Sequence, residues 1–321
     1  CNFKCSYCGP AFSSQWMDEI QQHGSYPTST NFNNLDYLKG TDQMPIPHNK
    51  RNPYVEAFWK WWEGELQHSL RELRVTGGEP TMSKGFWKLM DWWKSHPDCN
   101  VSLAVNSNLG ATPHLIERLC EASHSFKSFE LYTSNESFGK HAEYIRDGLD
   151  FEQWHQNVRA LIYRGVPVHV MCTINALCLD SLDQFLECML QWKTEYGRDA
   201  LSFTLNILRF PSFQSPLVLS EELRTKYRIK LERFQTRMLA HNVLEEHEYN
   251  HLQRLIDYLD VVKTPHAGAA AQDLLQKDFK LEKINSSKNF ECSIKNDIYF
   301  QKRYDNIYNQ YDFYKKVKSL I

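Results

Sequence analysis

The chain has 321 residues, 42% hydrophobic and 13% aromatic, enough for one large domain with an appendage or for two ordinary domains. A formal net charge of −2 excludes a general electrostatic attraction to nucleic acid or to a membrane surface. No uninterrupted apolar stretch is long enough to span a bilayer.

Residues 13–52 are polar and broken by Ser13-Ser14, Asn33-Asn34 and the Pro45/Pro47 pair, and they read as loop. Val55, Phe58, Trp59, Trp62, Leu66, Leu70 and Leu73 then recur at spacings of three and four. That spacing predicts one amphipathic helix whose apolar face enters a core, or forms a lid over a site. From there strands and helices alternate. Strands are expected at Leu73–Thr76, Val101–Val105, Phe129–Tyr132, Val166–Ile174 and Leu201–Ile207, with helices over 84–94, 112–122, 151–164 and 181–196. Such alternation implies βαβ units and a parallel sheet. After Pro211 it stops: 220–261 read as one or two long charged helices, 270–283 as another, and Ile284–Ser287 as a linker into a Lys-, Asn- and Tyr-rich tail.

The N-terminal stretch reads Cys1-Asn2-Phe3-Lys4-Cys5-Ser6-Tyr7-Cys8. Three thiolates at C-x3-C-x2-C can each hold one iron of a [4Fe-4S] cluster, which leaves the fourth iron open to a small molecule. The same thiolates could form part of a zinc site. The next histidines, His23 and His48, do not stand at finger spacing. Nine cysteines in a chain too large to need disulfide stapling fit a reducing cytoplasm. The first residue is Cys1 rather than Met, so a fragment is expected, and a targeting segment could have stood upstream.

The cysteines, the aromatic Tyr7 before the third of them, and Gly77-Gly78-Glu79-Pro80 after a strand together resemble the radical S-adenosylmethionine (radical SAM) superfamily. The resemblance implies an α/β fold, a partial (β/α)6 barrel whose first strand precedes Cys1, with a helical C-terminal extension. The expected organisation is a core over 1–211 with an insertion at 13–72, a helical region over 212–283 and a tail over 284–321. The implied cofactors are a [4Fe-4S] cluster on Cys1, Cys5 and Cys8, and S-adenosylmethionine (SAM). Reductive cleavage of SAM would give a 5′-deoxyadenosyl radical that abstracts hydrogen from a peptide, protein or small-molecule substrate. An electron donor such as flavodoxin or ferredoxin is the implied partner.

The two glycines free the backbone to approach a ligand closely. By resemblance, the turn Gly77, Gly78, Glu79 and Pro80 holds the amino group of SAM. Asn108 and Ser134 close two strands at their carboxyl ends, where ligands of parallel α/β folds bind, and the family uses such positions for ribose. Arg146 is a candidate for the SAM carboxylate, because a guanidinium grips a carboxylate bidentately. Asn206 and Arg209 are expected at the carboxyl end of the last strand, where they would face substrate or adenine.

A second class of function comes from His247-Glu248-Tyr249-Asn250-His251, a literal H-E-x-x-H. It suggests a zinc metallopeptidase. The third-ligand position of the extended motif is Asp257, and the charges of Glu245, Glu246 and Glu248 suit a solvated helix face. A non-catalytic iron–sulfur module is a third reading. The post-barrel region is twitch-like in length and position. However, only Cys292 follows Cys188, so the ligands of an auxiliary cluster are missing.

Overall fold

The computed structural model describes residues 1–24, 34–42, 44, 51–209, 214–241 and 243–260. The helix expected over 270–283, the tail over 284–321, Cys292 and Pro211 lie outside the described residues.

A two-residue strand β1 (Lys4–Cys5) leads to α1 (Ser14–His23), and α2 (Leu35–Gly40) follows. Both helices fall in the segment read as loop, which corrects that reading. Extended Ser13 accepts the Trp16 amide N–H and so caps α1. The buried residues Trp16, Met17 and Ile20 supply its only apolar face, too short to register as periodicity in so polar a segment. Asn34 caps α2 through the amides of Asp36 and Tyr37.

The single helix expected from Val55 to Leu73 is also corrected. α3 (Pro53–Trp61) widens into a π turn over Trp62–Leu66, with Gly64 inside it, and resumes as α4 (Gln67–Ser69). The Gln67 N–H reaches back to the Trp62 carbonyl across that turn. Trp62 is thereby fully buried against Trp92 and Trp93 of α5 (Lys84–Lys94), while Val55 stays 47% exposed. This face packs on α5, the core reading rather than the lid. Leu73 belongs to the next strand.

That strand, β2 (Glu72–Val75), opens a five-stranded parallel sheet. It continues through β3 (Ser102–Ser107) and β4 (Phe129–Ser134) and, past the two-residue β5 (Arg146–Asp147), through β6 (Val168–Ile174) and β7 (Leu201–Ile207). The spatial order is β2-β3-β4-β6-β7, with every neighbour parallel. Helix α5 follows β2, α6 (Pro113–Ser123) follows β3, α7 (Lys140–Ile145) and α8 (Phe151–Tyr163) follow β4, and α9 (Leu182–Tyr196) follows β6. The architecture is an open arc of β/α units, an α/β partial barrel.

Period-two alternation divides the two faces of the sheet. Val168, Val170, Cys172 and Ile174 of β6, with Leu201, Phe203 and Leu205 of β7, are buried among the helices. The intervening His169, Met171 and Thr173, with Ser202 and Thr204, are only partly buried and form a polar opposite face. Beyond the sheet, α10 (Glu221–His241) and α11 (Glu246–Asp260) contribute Tyr227, Leu231, Phe234, Met238, Leu252, Leu255, Ile256 and Leu259 to the same hydrophobic core as the sheet.

Candidate functional site

The cysteine-bearing segment has little regular structure of its own and is held by contacts from far along the chain. β1 pairs antiparallel with β5, which sets Cys5 opposite Arg146. The Ser6 amide donates to the Ile145 carbonyl at 2.7 Å, and the Cys8 amide turns back to the Cys5 carbonyl at 3.0 Å. Trp16 Nε1 donates to the Cys5 carbonyl at 3.1 Å, and Ser13 Oγ to that of Phe3 at 2.6 Å. Phe3 is 2% exposed and sits where Gly110 leaves room. A Cβ at Gly110 would stand 2.4 Å from the Phe3 ring.

Gly77 and Gly78 follow β2 with φ of +83° and +55°, left-handed values that favour glycine. A Cβ on Gly78 would lie 3.4 Å from the Cys1 backbone nitrogen, so the turn runs beside the cysteine segment. Glu79 is buried, and its carboxylate accepts from the Thr81 amide (3.1 Å), Thr81 Oγ1 (2.7 Å), Ser107 Oγ (2.7 Å) and the Asn108 amide (2.6 Å). It therefore ties the turn to the end of β3. Pro80 opens a 3-10 turn over Pro80–Met82, where its missing N–H costs nothing.

Asn108 lies at the end of β3 as expected, but its side chain faces the cysteines. Nδ2 donates to Asn2 Oδ1 at 2.7 Å and lies 3.6 Å from Cys1 Sγ. Arg146, 4% exposed, directs Nε (3.0 Å) and Nη2 (2.5 Å) at Glu136 Oε2. Its remaining nitrogen, Nη1, lies 3.8 Å from Cys5 Sγ. Its guanidinium also sits 5.5 Å over the ring of Tyr7, whose hydroxyl donates to Glu136 Oε1 at 3.1 Å. Ser134 stands half-buried at the end of β4, level with Met171 of β6. Asn206 and Arg209 are exposed at and beyond the end of β7.

Burial pushes the Cys5 thiol up to about 11, against the opposing pull of the Arg146 charge. Burial also raises Cys8, offset in part by the Gly9 backbone and Arg146. Among the described residues, no group of three His, Cys, Asp or Glu side chains is gathered to hold one metal ion. A tetrahedral zinc with Zn–S near 2.3 Å needs its sulfurs about 3.8 Å apart. A four-iron cluster gives each thiolate its own iron. The donor set fits such a group: three thiols, with N–H donors near two of them, the kind of outer-shell contact that would tune a cluster.

The His247-Glu248-His251 match has a different explanation, and the solvated-face reading of Glu248 is corrected. Glu248 is fully buried, paired with Lys193 Nζ at 2.8 and 2.9 Å, and accepts the Phe203 amide at 3.0 Å. His251 Nδ1 accepts the Leu205 amide at 3.0 Å, and Arg254 Nη2 donates to the Leu205 carbonyl at 2.6 Å. Residues 248, 251 and 254 share one face of α11 and satisfy the backbone of β7, an end strand of the sheet. A helix covering a strand edge in this way blocks edge-to-edge association. The carboxylate that would act as the peptidase base is committed to that task.

Sequence reasoning passed over Glu136, Asn2, Phe3 and Gln214. Glu136 stands ten residues before Arg146, a separation that carries no periodic pattern. Gln214 meets Ser6 across 208 positions, a contact that only the closed fold creates.

No protein-family model and no curated protein matches the sequence. Among solved structures, native anSMEcpe with bound AdoMet is similar at a TM-score of 0.46 and 15% identity, over 76% of this chain and 60% of that one. The same protein with bound AdoMet and Cp18Cys peptide gives 0.46 and 15%, over 76% and 59%. Streptococcus suis SuiB bound to S-adenosylmethionine gives 0.41 and 10%, over 60% and 43%. The chain thus spans about 60% of the length of anSMEcpe.

Proposed function

We propose that the chain is a radical SAM enzyme, in which Cys1, Cys5 and Cys8 hold three irons of a [4Fe-4S] cluster and leave the fourth to SAM. The observation that carries this reading is the convergence of a left-handed Gly77-Gly78 turn, the Asn108 amide and the Arg146 guanidinium on the segment holding the three cysteines. When bound, the cluster supplies the electron that cleaves SAM and so starts hydrogen abstraction from substrate.

The chain's own residues divide the remaining work. Gly77 and Gly78 present main-chain groups to the amino end of SAM, and Glu79 and Pro80 fix the shape of that turn. Ser134 is the ribose contact we assign at the end of β4. Asn108 moves from the ribose role to supporting the Cys1 sulfur. Arg146, with two nitrogens already on Glu136, supports the Cys5 sulfur rather than gripping the SAM carboxylate.

The face carrying Tyr132, His169, Met171, Thr173 and Thr204 is polar and partly open, which suits a polar substrate, with a peptide or protein segment the first to test. No helix among the described residues is long and apolar enough to cross a membrane. A low-potential donor of the flavodoxin or ferredoxin kind and a reducing, cytoplasmic setting complete the reading. A metallopeptidase is not proposed, because Glu248 is buried in an ion pair.

The test is anaerobic iron and sulfide reconstitution, reduction, and addition of SAM, followed by detection of 5′-deoxyadenosine and methionine. Release of both, lost when Cys1, Cys5 and Cys8 are changed to Ala, is the expected result. Stoichiometric zinc persisting under iron-replete anaerobic conditions would overturn the reading. A cluster that ignores SAM would leave a non-catalytic iron–sulfur module.

A further inference from the structure

The two residues between Cys5 and Cys8 are each fastened to remote parts of the chain. Tyr7 is held by Glu136. Ser6 is gripped from two sides. On one side its amide donates to the Ile145 carbonyl at 2.7 Å. On the other it makes a closed two-bond ring with Gln214: Ser6 Oγ donates to Gln214 Oε1 at 3.1 Å, and Gln214 Nε2 donates to the Ser6 carbonyl at 2.9 Å. A primary carboxamide has both an acceptor and a donor to close that ring, which no other side chain of its length provides.

Gln214 is itself rigidly placed. It is 5% exposed, and its carbonyl accepts the Ala176 amide at 2.7 Å, which fastens it to the loop after β6. The next residue, Ser215, accepts the Leu217 amide and lies 3.3 Å from the Tyr258 hydroxyl on α11. Gln214 therefore presents a fixed carboxamide to the peptide that spaces two of the three cysteines.

We propose that Gln214 is a positioning residue for the metal-binding loop, holding the Ser6 peptide so that the Cys5 and Cys8 thiols are preset for their irons. This rests on the radical SAM reading for its purpose, but its physical content belongs to the metal-free chain. Groups that orient ligands without touching the metal commonly matter almost as much as the ligands. Without the carboxamide, Ser6 keeps its Ile145 bond and loses the opposing anchor. The Cys8 end of the loop then keeps only the Tyr7–Glu136 bond and its own turn to the Cys5 carbonyl and opens more often, while Cys5 stays clamped by the β1–β5 pairing.

The test uses the full chain and two readouts. In metal-free protein, mass-resolved iodoacetamide labelling should be faster at Cys8 in Gln214→Leu by about tenfold, the change expected when a locally closed state loses ~1.4 kcal/mol of hydrogen bonding. Cys5 should be nearly unaffected. Gln214→Glu, which keeps the acceptor for the Ser6 hydroxyl, should fall between. Ser215→Ala is the control, since it removes a neighbouring turn contact without touching Ser6 and should leave Cys8 unchanged. In reconstituted protein, Gln214→Leu should shift the electron paramagnetic resonance signal and reduction potential of the cluster, with Ser215→Ala again neutral.

Equal Cys8 labelling in wild type and Gln214→Leu would overturn the proposal, as would equal acceleration by Ser215→Ala. Failure of the wild type to assemble a cluster would instead count against the radical SAM reading, and the labelling result would still decide the clamp.

Discussion

Glu136 and Arg146 form an ion pair inside the protein, with the Arg146 side chain 5% and the Glu136 side chain 1% exposed and Nη2 to Oε2 at 2.5 Å. Nothing about the pair is solvated, so its two members stand or fall together. Changing Glu136 to Ala leaves a buried guanidinium with its main partner gone and should cost about 3–5 kcal/mol. Denaturant unfolding of the metal-free chain measures this. Joint replacement of Glu136 and Arg146 by Met should cost much less than the sum of the two single changes. Additive losses would mean that the pair is not coupled.

Gly78 supplies a different kind of prediction. A side chain there meets no severe clash, since its Cβ would sit 3.4 Å from the nearest atom, the Cys1 backbone nitrogen. The penalty is the positive φ of +55°, which a β-branched residue resists. Gly78→Val should therefore lose about 1–3 kcal/mol and reshape the turn while leaving the thiols in place. Cluster content should survive and SAM binding should fall sharply. Unchanged SAM affinity, read by titration of the reduced cluster's magnetic signal, would remove the turn from the SAM site.

The edge-capping face of α11 separates stability from catalysis. Glu248→Ala strands the buried Lys193 ammonium and frees the Phe203 amide, so a loss of about 3–5 kcal/mol is expected. His251→Ala leaves the Leu205 amide without its acceptor and should cost about 1–2 kcal/mol. His247→Ala together with His251→Ala should keep cluster content and 5′-deoxyadenosine release near wild type at low temperature. Zinc-dependent peptide hydrolysis that vanished in that double variant would reverse this assignment.

His169 gives the pH dependence. Burial, reinforced by His247, His251 and Lys193, holds its imidazole down at about 4, from an ordinary value of 6.5. Its Nδ1 lies 2.5 Å from Ser202 Oγ and its Nε2 3.3 Å from Thr204 Oγ1, while Tyr132 and His247 flank the ring. Between pH 4 and 6.5 the unfolded chain binds a proton that the folded chain refuses, so stability rises with pH in that window. The contribution is fully present above pH 6.5 and is lost as the pH falls through 4. Allowing for solvent screening of the partly exposed ring, about 2 kcal/mol is at stake. His169→Gln should flatten the stability difference between pH 7 and pH 4.5 relative to wild type. Parallel curves for the two proteins would count against this ring as the source.

How much of this was legible in the sequence differed from element to element. The helices Lys84–Lys94 and Phe151–Tyr163 and the strand Leu201–Ile207 stand almost where their apolar spacing put them, because one buried face dictates each pattern. α1 escaped because a single buried stripe around Trp16 does not outweigh its polar neighbours. The π turn at Trp62–Leu66 escaped because spacing alone does not tell a widened turn from a regular one. In the candidate site, the cysteines and glycines announced themselves as a spacing motif. The partner of Arg146 and the burial of Glu248 could not, since each depends on which remote backbone comes to lie alongside.

Among the described residues, the cysteine segment has partners very remote in sequence. Asn108 reaches Cys1 across 107 positions, Arg146 reaches Cys5 across 141, and Gln214 reaches Ser6 across 208. Contacts so distant in sequence carry a large loop-closure cost and form slowly. The thiols therefore cannot reach their final spacing until most of the β/α arc has closed around them. Iron delivered to a nascent chain would meet three loosely tethered thiols, whereas iron delivered after folding would meet a finished socket. On the proposed cluster reading, metal loading would follow folding, and folded, iron-free protein would be the pool that must be kept reduced.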